Sequence, residues 1–243
     1  MNGFMAVFKR ELKGYFTTPV AYVFLIIFLF FAGYLTFRSG FYEMRQADLL
    51  VFFSHLPLLF VFMVPSTAMR LWSEERKSGS IELLLTLPIT VTQAVWGKFI
   101  AAWAFLGIAL LLTFPVPLTV YYLGSPDTGL IIVGYLGSFL MAGSYLAVGS
   151  FFSALSKNQV ISFILSVVVC AILVYAGMPT TLDYLSGLLP GAALTMVARM
   201  SVLTHIESIQ RGVLEFKDIA FFVISILCWI WACTIILNEK KAS

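Results

Sequence analysis

From Val20 to Phe37 the chain runs without one charged side chain. At about 1.5 Å per residue, a helix over that stretch nearly crosses the ~30 Å hydrocarbon core of a bilayer. Similar runs recur along the whole sequence, which is 60% hydrophobic and 11% charged, with a mean hydropathy of +0.98. Soluble domains carry about 25% charged residues, so the sequence describes an all-α integral membrane protein. The first run exceeds the ~7–15 apolar residues of a cleaved signal peptide, and no small-x-small site precedes a mature domain, so we read it as a span.

The net charge is only +3, and the basic residues are scattered through short loops instead of forming a stripe, which excludes nucleic acid as the expected partner. Cys170, Cys228 and Cys233 all fall inside apolar segments, where they pack as small hydrophobes; neither a disulfide nor a metal site is expected. The nearest approach to a phosphate-cradling loop is Gly97-Lys98-Phe99, far short of Gly-x-x-x-x-Gly-Lys-[Ser/Thr].

Residues 4–17 place Phe4, Phe8, Leu12, Tyr15 and Phe16 at helical spacing, with Lys9, Arg10 and Lys13 on the remaining surface. That is the pattern of a helix lying in the membrane interface. Thr18-Pro19 offers an N-cap followed by a proline at the first helical position, opening the first span at 20–37. The second span is expected over 49–69, kinked by Pro57 and Pro65. Thr90-x-x-Gln93 fits a capping box that opens the third, 94–123, which Pro115 and Pro117 should bend. After a tight turn at 124–129, the fourth covers 130–153. Its small residues recur every four positions (Gly134, Ser138, Ala142; Gly143, Ala147), so it should pack closely against other helices. The fifth covers 160–177 and the sixth 219–237.

Between the last two, 178–218 is partly apolar but broken by Pro190-Gly191, and it carries Arg199. Reading it as a seventh span would put Lys240 and Lys241 opposite Lys9, Arg10 and Lys13. With six spans, ten of the 15 basic residues share a side, which is then at +5 against −2 on the other. The positive-inside rule makes the richer side cytoplasmic, together with both termini. Within this outer re-entrant segment, 178–218, residues 185–203 are then a re-entrant helical hairpin dipping in from the outer face before the sixth span, its non-helical backbone buried by protein. Pro190 and Gly191, at the break, are the candidate outer gate.

The most polar stretch, Glu74 to Pro88, is expected to be a cytoplasmic loop holding a short amphipathic helix. Ser80 suits the N-cap, Glu82 sits in the first turn where the helix dipole favours an anion, and Pro88 ends the helix. Ile81, Leu84 and Leu85 form an apolar stripe that needs a partner surface, either lipid headgroups or another protein.

With Lys98 counted among the inner-side basic residues, the spans are read as holding no Asp, Glu, Lys or Arg. Their one histidine, His55, is expected to bond a neighbour. Ion-coupled transporters generally need ionisable groups in the membrane, so any transport should be driven from elsewhere. His205 has no Cys or Asp at ligand spacing, and neither Gly-x-Ser-x-Gly nor His-Glu-x-x-His occurs; enzyme activity is not expected.

The run from Arg70 to Pro88 resembles the cytoplasmic loop of ABC-2 type permeases, roughly Glu-Arg-x-x-Gly-[Thr/Ser]-x-Glu-x-Leu-x-x-x-Pro. Glu75, Arg76, Gly79, Ser80, Glu82, Leu84 and Pro88 occupy those places, and the likeness extends over nearly the whole chain. The Ser156 to Gln159 turn and the Glu207 to Asp218 run are most similar to the gliding-motility-type (Gld F-like) branch. The resemblance implies the permease subunit of an ATP-driven exporter in the bacterial plasma (inner) membrane, without a cofactor of its own. ATP and Mg would be bound by a separate ATPase subunit. It also implies that Glu74, Glu75, Arg76, Gly79, Ser80, Ile81, Glu82, Leu84, Leu85 and Pro88 form a coupling helix docked in that ATPase. Phe8, Lys9, Arg10, Leu12 and Lys13 would lie on the family's connecting helix beside it. The membrane partner would be a second permease copy or a different subunit with a large outer domain. Two other readings stay open: a membrane subunit that transmits ATPase motion to an outer partner without transport, and a secondary transporter or channel subunit.

Overall fold

Apolar runs of this length can satisfy their backbone groups in lipid only by coiling, and they do. A computed structural model of the chain describes residues 3–38, 48–79, 89–213 and 215–242, where all regular structure is helical. The helices are α1 (Gly3–Thr17), α2 (Pro19–Arg38), α3 (Leu50–Ala68), α4 (Arg70–Ser78), α5 (Val91–Leu111) and α6 (Pro115–Leu123), then α7 (Thr128–Leu155), α8 (Gln159–Tyr175), α9 (Pro179–Ser186), α10 (Gly191–Met200), α11 (Val202–Gln210) and α12 (Phe216–Ala242). Among the described residues, 5 helical stretches are long and apolar enough to cross a membrane: 19–38, 50–78, 91–123, 128–155 and 216–239. A sixth is complete only if α8 and α9, bent by 77° at Ala176 to Met178, count as one.

Helix α7 is the axis of the bundle, with α3, α5, α8, α11 and α12 packed around it. Its small residues explain this, though close backbone approach is only part of the reason. A Cβ on Gly149 would lie 2.3 Å from the Ala68 Cβ, so there the helices do meet backbone to backbone. Elsewhere the notches receive side chains. The Phe53 ring fills the space at Gly134, Ile209 that at Gly137, and the Trp103 indole that at Gly143.

The helix boundaries follow local chemistry. Thr90 and Gln93 form the expected capping box, each side chain bonding the other's backbone N–H at 3.2 Å. Asn158 caps α8 through the Val160 N–H at 2.9 Å. The third span breaks at 112–114, where Pro115 begins α6. Thr18 departs from its expected role: its hydroxyl donates back to the Gly14 carbonyl at 3.2 Å, closing α1 instead of capping α2.

Two expectations need correction. The second span does not stop at Met69, because only that residue separates α3 from α4 and the helix carries Glu74, Glu75, Arg76 and Lys77 onward to Ser78. Gly79, at φ +74°, ends it with the left-handed turn that glycine adopts without Cβ strain. The stretch from Glu74 to Ser78 is therefore helix rather than loop; two of its charged residues, Glu75 and Arg76, are bound by other helices of the bundle, as described below. Ser80 to Pro88, with the expected short helix, lies outside the described residues. The second correction concerns 178–218. Helices α9 and α10 bury no residue, Pro190 and Gly191 are exposed, and a Cβ on Gly191 would meet nothing within 4 Å. Among the described residues no helix covers the break; the packed part of the segment is α11, which buries Val202, Ile206 and Ile209. Gln210 anchors it by donating to the Phe53 carbonyl at 2.8 Å.

Candidate functional site

At the end of the bundle where α1, α4 and the start of α5 meet, a buried cation holds three helices together. Lys98 lies two turns into α5 with its side chain 4% exposed, and its Nζ reaches Glu75 Oε1 at 2.9 Å and Glu11 Oε1 at 3.2 Å. Arg10 closes the group, 2.6 Å from Glu11 Oε1 and 3.6 Å from Glu75 Oε1. Two cations thus face two carboxylates, and the cluster is neutral. The Lys98 ammonium also lies 5.1 Å from the centre of the Trp72 ring, in cation–π range.

Helix α1 reaches this position because it lies along α5, with Val7 set against Gly97, where a Cβ would come within 2.9 Å of it. Lys9 and Lys13 point outward, Phe8 and Leu12 are half-buried, and the helix thus has one face on protein. Burial works against charging Glu11, but Lys98 and Arg10 outweigh it and hold its carboxyl below the ordinary value.

Helix α4 is fixed from its other side by α7. The Ser153 hydroxyl accepts from the N–H groups of Trp72 at 3.0 Å and Ser73 at 3.1 Å, and donates to the Met69 carbonyl at 2.9 Å. The Trp72 indole donates to Ser150 at 3.3 Å, and Arg76 donates to the Ala154 carbonyl at 2.7 Å. These bonds let four charged residues continue a helix beyond its apolar span. Glu74 points elsewhere and bonds Arg70 at 3.2 Å. Of the expected coupling residues, then, Glu75 and Arg76 enter the network, Glu74 sits beside it and Gly79 terminates it. Ser80, Ile81, Glu82, Leu84, Leu85 and Pro88 are outside the described residues.

The sequence reading missed Lys98, Trp72, Ser150 and Ser153. Lys98, counted by charge sidedness among the cytoplasmic basic residues, is buried. A single charge inside an otherwise apolar run was the available signal. A second buried polar group occupies the opposite end. His205 Nδ1 lies 2.6 Å from Asp218 Oδ1, Ser208 donates to Asp218 Oδ2 at 2.6 Å, and the His205 ring stacks on Phe221. The absence of an acidic neighbour at ligand spacing in sequence is thus reversed by folding. His55, as expected, bonds a neighbour in its own helix, the Val51 carbonyl at 2.6 Å.

Membrane-length helices wrapped around α7 define a multi-pass membrane protein. Residues 12–238 match the family model described as ABC-2 family transporter protein, and the chain belongs to that family. Membership makes it a non-catalytic, membrane-embedded permease subunit, and implies an ABC transporter with an ATPase partner. No curated protein matches the chain.

Proposed function

We propose that this chain is the membrane-spanning subunit of an ATP-driven exporter, coupled through residues 74–88 to a separate ATPase that binds ATP and Mg. The observation that carries the reading is the Lys98 bridge. Glu75, part of the motif shared with ABC-2 permeases, is joined through one buried ammonium to α1 and α5, while Arg76 and Trp72 join the same helix to α7. Force applied just beyond Gly79 would therefore move α4 together with three other helices. The charge asymmetry of +5 against −2 supports placing this end, with both termini, in the cytoplasm. The membrane unit is completed by a second copy or, as in the gliding-motility-type branch, by a different subunit with a large outer domain.

The test separates docking from capping. A carboxylate in a first helical turn contributes about 0.3–1 kcal/mol to the helix. Truncating one side of a buried charge pair at an interface costs about 2–5 kcal/mol. Glu82→Gln should therefore weaken retention of the ATPase on purified protein, and Leu84→Asp should abolish it, with folding and membrane insertion intact. Full retention by both variants in the wild-type detergent and salt would overturn the coupling role of this segment.

A further inference from the structure

Beside the Lys98 cluster, α1, α2, α3 and α4 enclose a cavity of about 580 Å³, within the ~300–1,000 Å³ range of small-molecule sites. Its walls are apolar: Val23 and Ile27 from α2, Phe62 from α3 and Phe163 from α8. All but Phe163 are more than a third exposed in the chain, so the cavity opens sideways, toward lipid. Its inner end is closed by Phe24 and Tyr15, both packed on Phe105 with ring centres 5.6 and 4.8 Å apart. The rim is different in kind. Arg70 and Glu74 line it together, joined only through Arg70 Nε at 3.2 Å, which leaves the two Nη groups without a protein partner among the described residues. Glu11 also lines the rim but is already engaged by Lys98 and Arg10.

The geometry points to a binding site for one zwitterionic phospholipid with a primary amine, of the ethanolamine type, from the leaflet that meets α1. An acyl chain fills the apolar walls. The phosphate meets the free Nη groups of Arg70, a fork suited to paired oxygens, and the ammonium meets Glu74. Charge decides among headgroups. A purely anionic headgroup brings its negative charge to Arg70 beside the Glu74 carboxylate, which repels it. A choline headgroup balances the charge but has no N–H to donate. The site requires only that the chain be embedded in a bilayer, and although it shares Glu74 with the proposed coupling segment, its test reads lipid retention and not ATPase retention, so the failure of either reading leaves the other standing.

The test uses the full chain, purified in detergent and titrated with dioleoyl lipids carrying ethanolamine, choline or glycerol headgroups. Lipid retained per chain is read by native mass spectrometry, alongside the melting temperature. The ethanolamine lipid should be retained at one per chain and raise the melting temperature, with the other two about tenfold weaker, the loss expected for a charged hydrogen bond. Arg70→Gln should weaken ethanolamine-lipid retention about tenfold. Glu74→Gln should weaken it similarly while improving retention of the glycerol lipid, because the repelling charge is gone. Val23→Trp, at an exposed wall position, should block all three. Equal retention of the three headgroups, or ethanolamine-lipid retention unchanged in both rim variants, overturns the proposal. So does a Val23→Trp variant that changes oligomeric state without changing lipid retention, which would assign the cavity to a second copy.

Discussion

Around Lys98, four charged side chains from α1, α4 and α5 meet across long stretches of sequence, and both carboxylates remain 20% exposed. Around Asp218, three side chains meet within 13 residues of chain, and Asp218 itself is 0% exposed. The first cluster ties together helices that nothing local holds in register. The second fastens α11 to the helix that follows it. One is therefore placed to transmit displacement through the bundle, and the other to hold a single short helix in its slot between α3, α7 and α12. Their positions fit this division, since Trp72 engages Ser150 and Ser153 in the last turns of α7, while Ile209 fills the notch at Gly137 near its beginning.

The largest expected effect comes from removing the hub. Lys98→Met leaves Glu11 and Glu75 facing each other with only the half-exposed Arg10 between them. Breaking a buried ion pair in this way costs about 3–5 kcal/mol, and the residual exposure of both carboxylates brings the expected loss below that range. The melting temperature in matched detergent should fall, and hydrogen exchange should quicken in α1, α4 and α5 together. Neutralising the whole group, with Lys98→Met, Glu11→Gln and Glu75→Gln combined, should recover much of the loss, because no unpaired charge then remains buried. Faster exchange confined to α5 would show that Lys98 does not link the three helices.

Asp218→Ala should act more narrowly. It leaves His205 and Ser208 without their acceptor, at about 1–3 kcal/mol for a buried group, nearer the lower end because Ser208 is only half-buried. Exchange should quicken in α11 while α1 and α4 stay protected, since the remaining anchors of α11, among them the Gln210 bond to Phe53, are also at that end. Loss of protection in α4 would erase the distinction between the two clusters.

The sequence showed what depends on spacing along one element. Thr90 and Gln93 lie three residues apart, so their capping box was visible, and the four-residue recurrence of small side chains in α7 announced its central position. It hid what depends on tertiary pairing. Glu74 to Ser78 looked like a loop because charge density in a membrane protein ordinarily means water. The helix persists there because Lys98, the Ala154 carbonyl and Ser153 supply partners from other helices. His205 and Asp218 were likewise unreadable as a pair, since nothing about a 13-residue separation places two side chains together.

The smallest expected effect isolates the electrostatic part of the first cluster. Glu11 has a carboxyl held below its ordinary value of 4.5, despite burial, by Lys98 and Arg10. A group whose value is depressed on folding contributes stability that is fully present above its unfolded value and is lost as pH falls through its folded one. The difference in melting temperature between wild type and Glu11→Gln should therefore be constant from pH 8 down to about 5 and shrink below about 4.5, as pH falls toward the lowered value at which the folded wild-type carboxyl takes up its proton. At neutral pH the substitution leaves Glu75 on Lys98, so its effect should be smaller than that of Lys98→Met. A difference that persists undiminished at acid pH would mean that Glu11 holds α1 by packing or neutral hydrogen bonding. Lys98 and Glu75 would then be the whole of the charged link between α4 and α5, with α1 resting on α5 through contacts such as that of Val7 with Gly97.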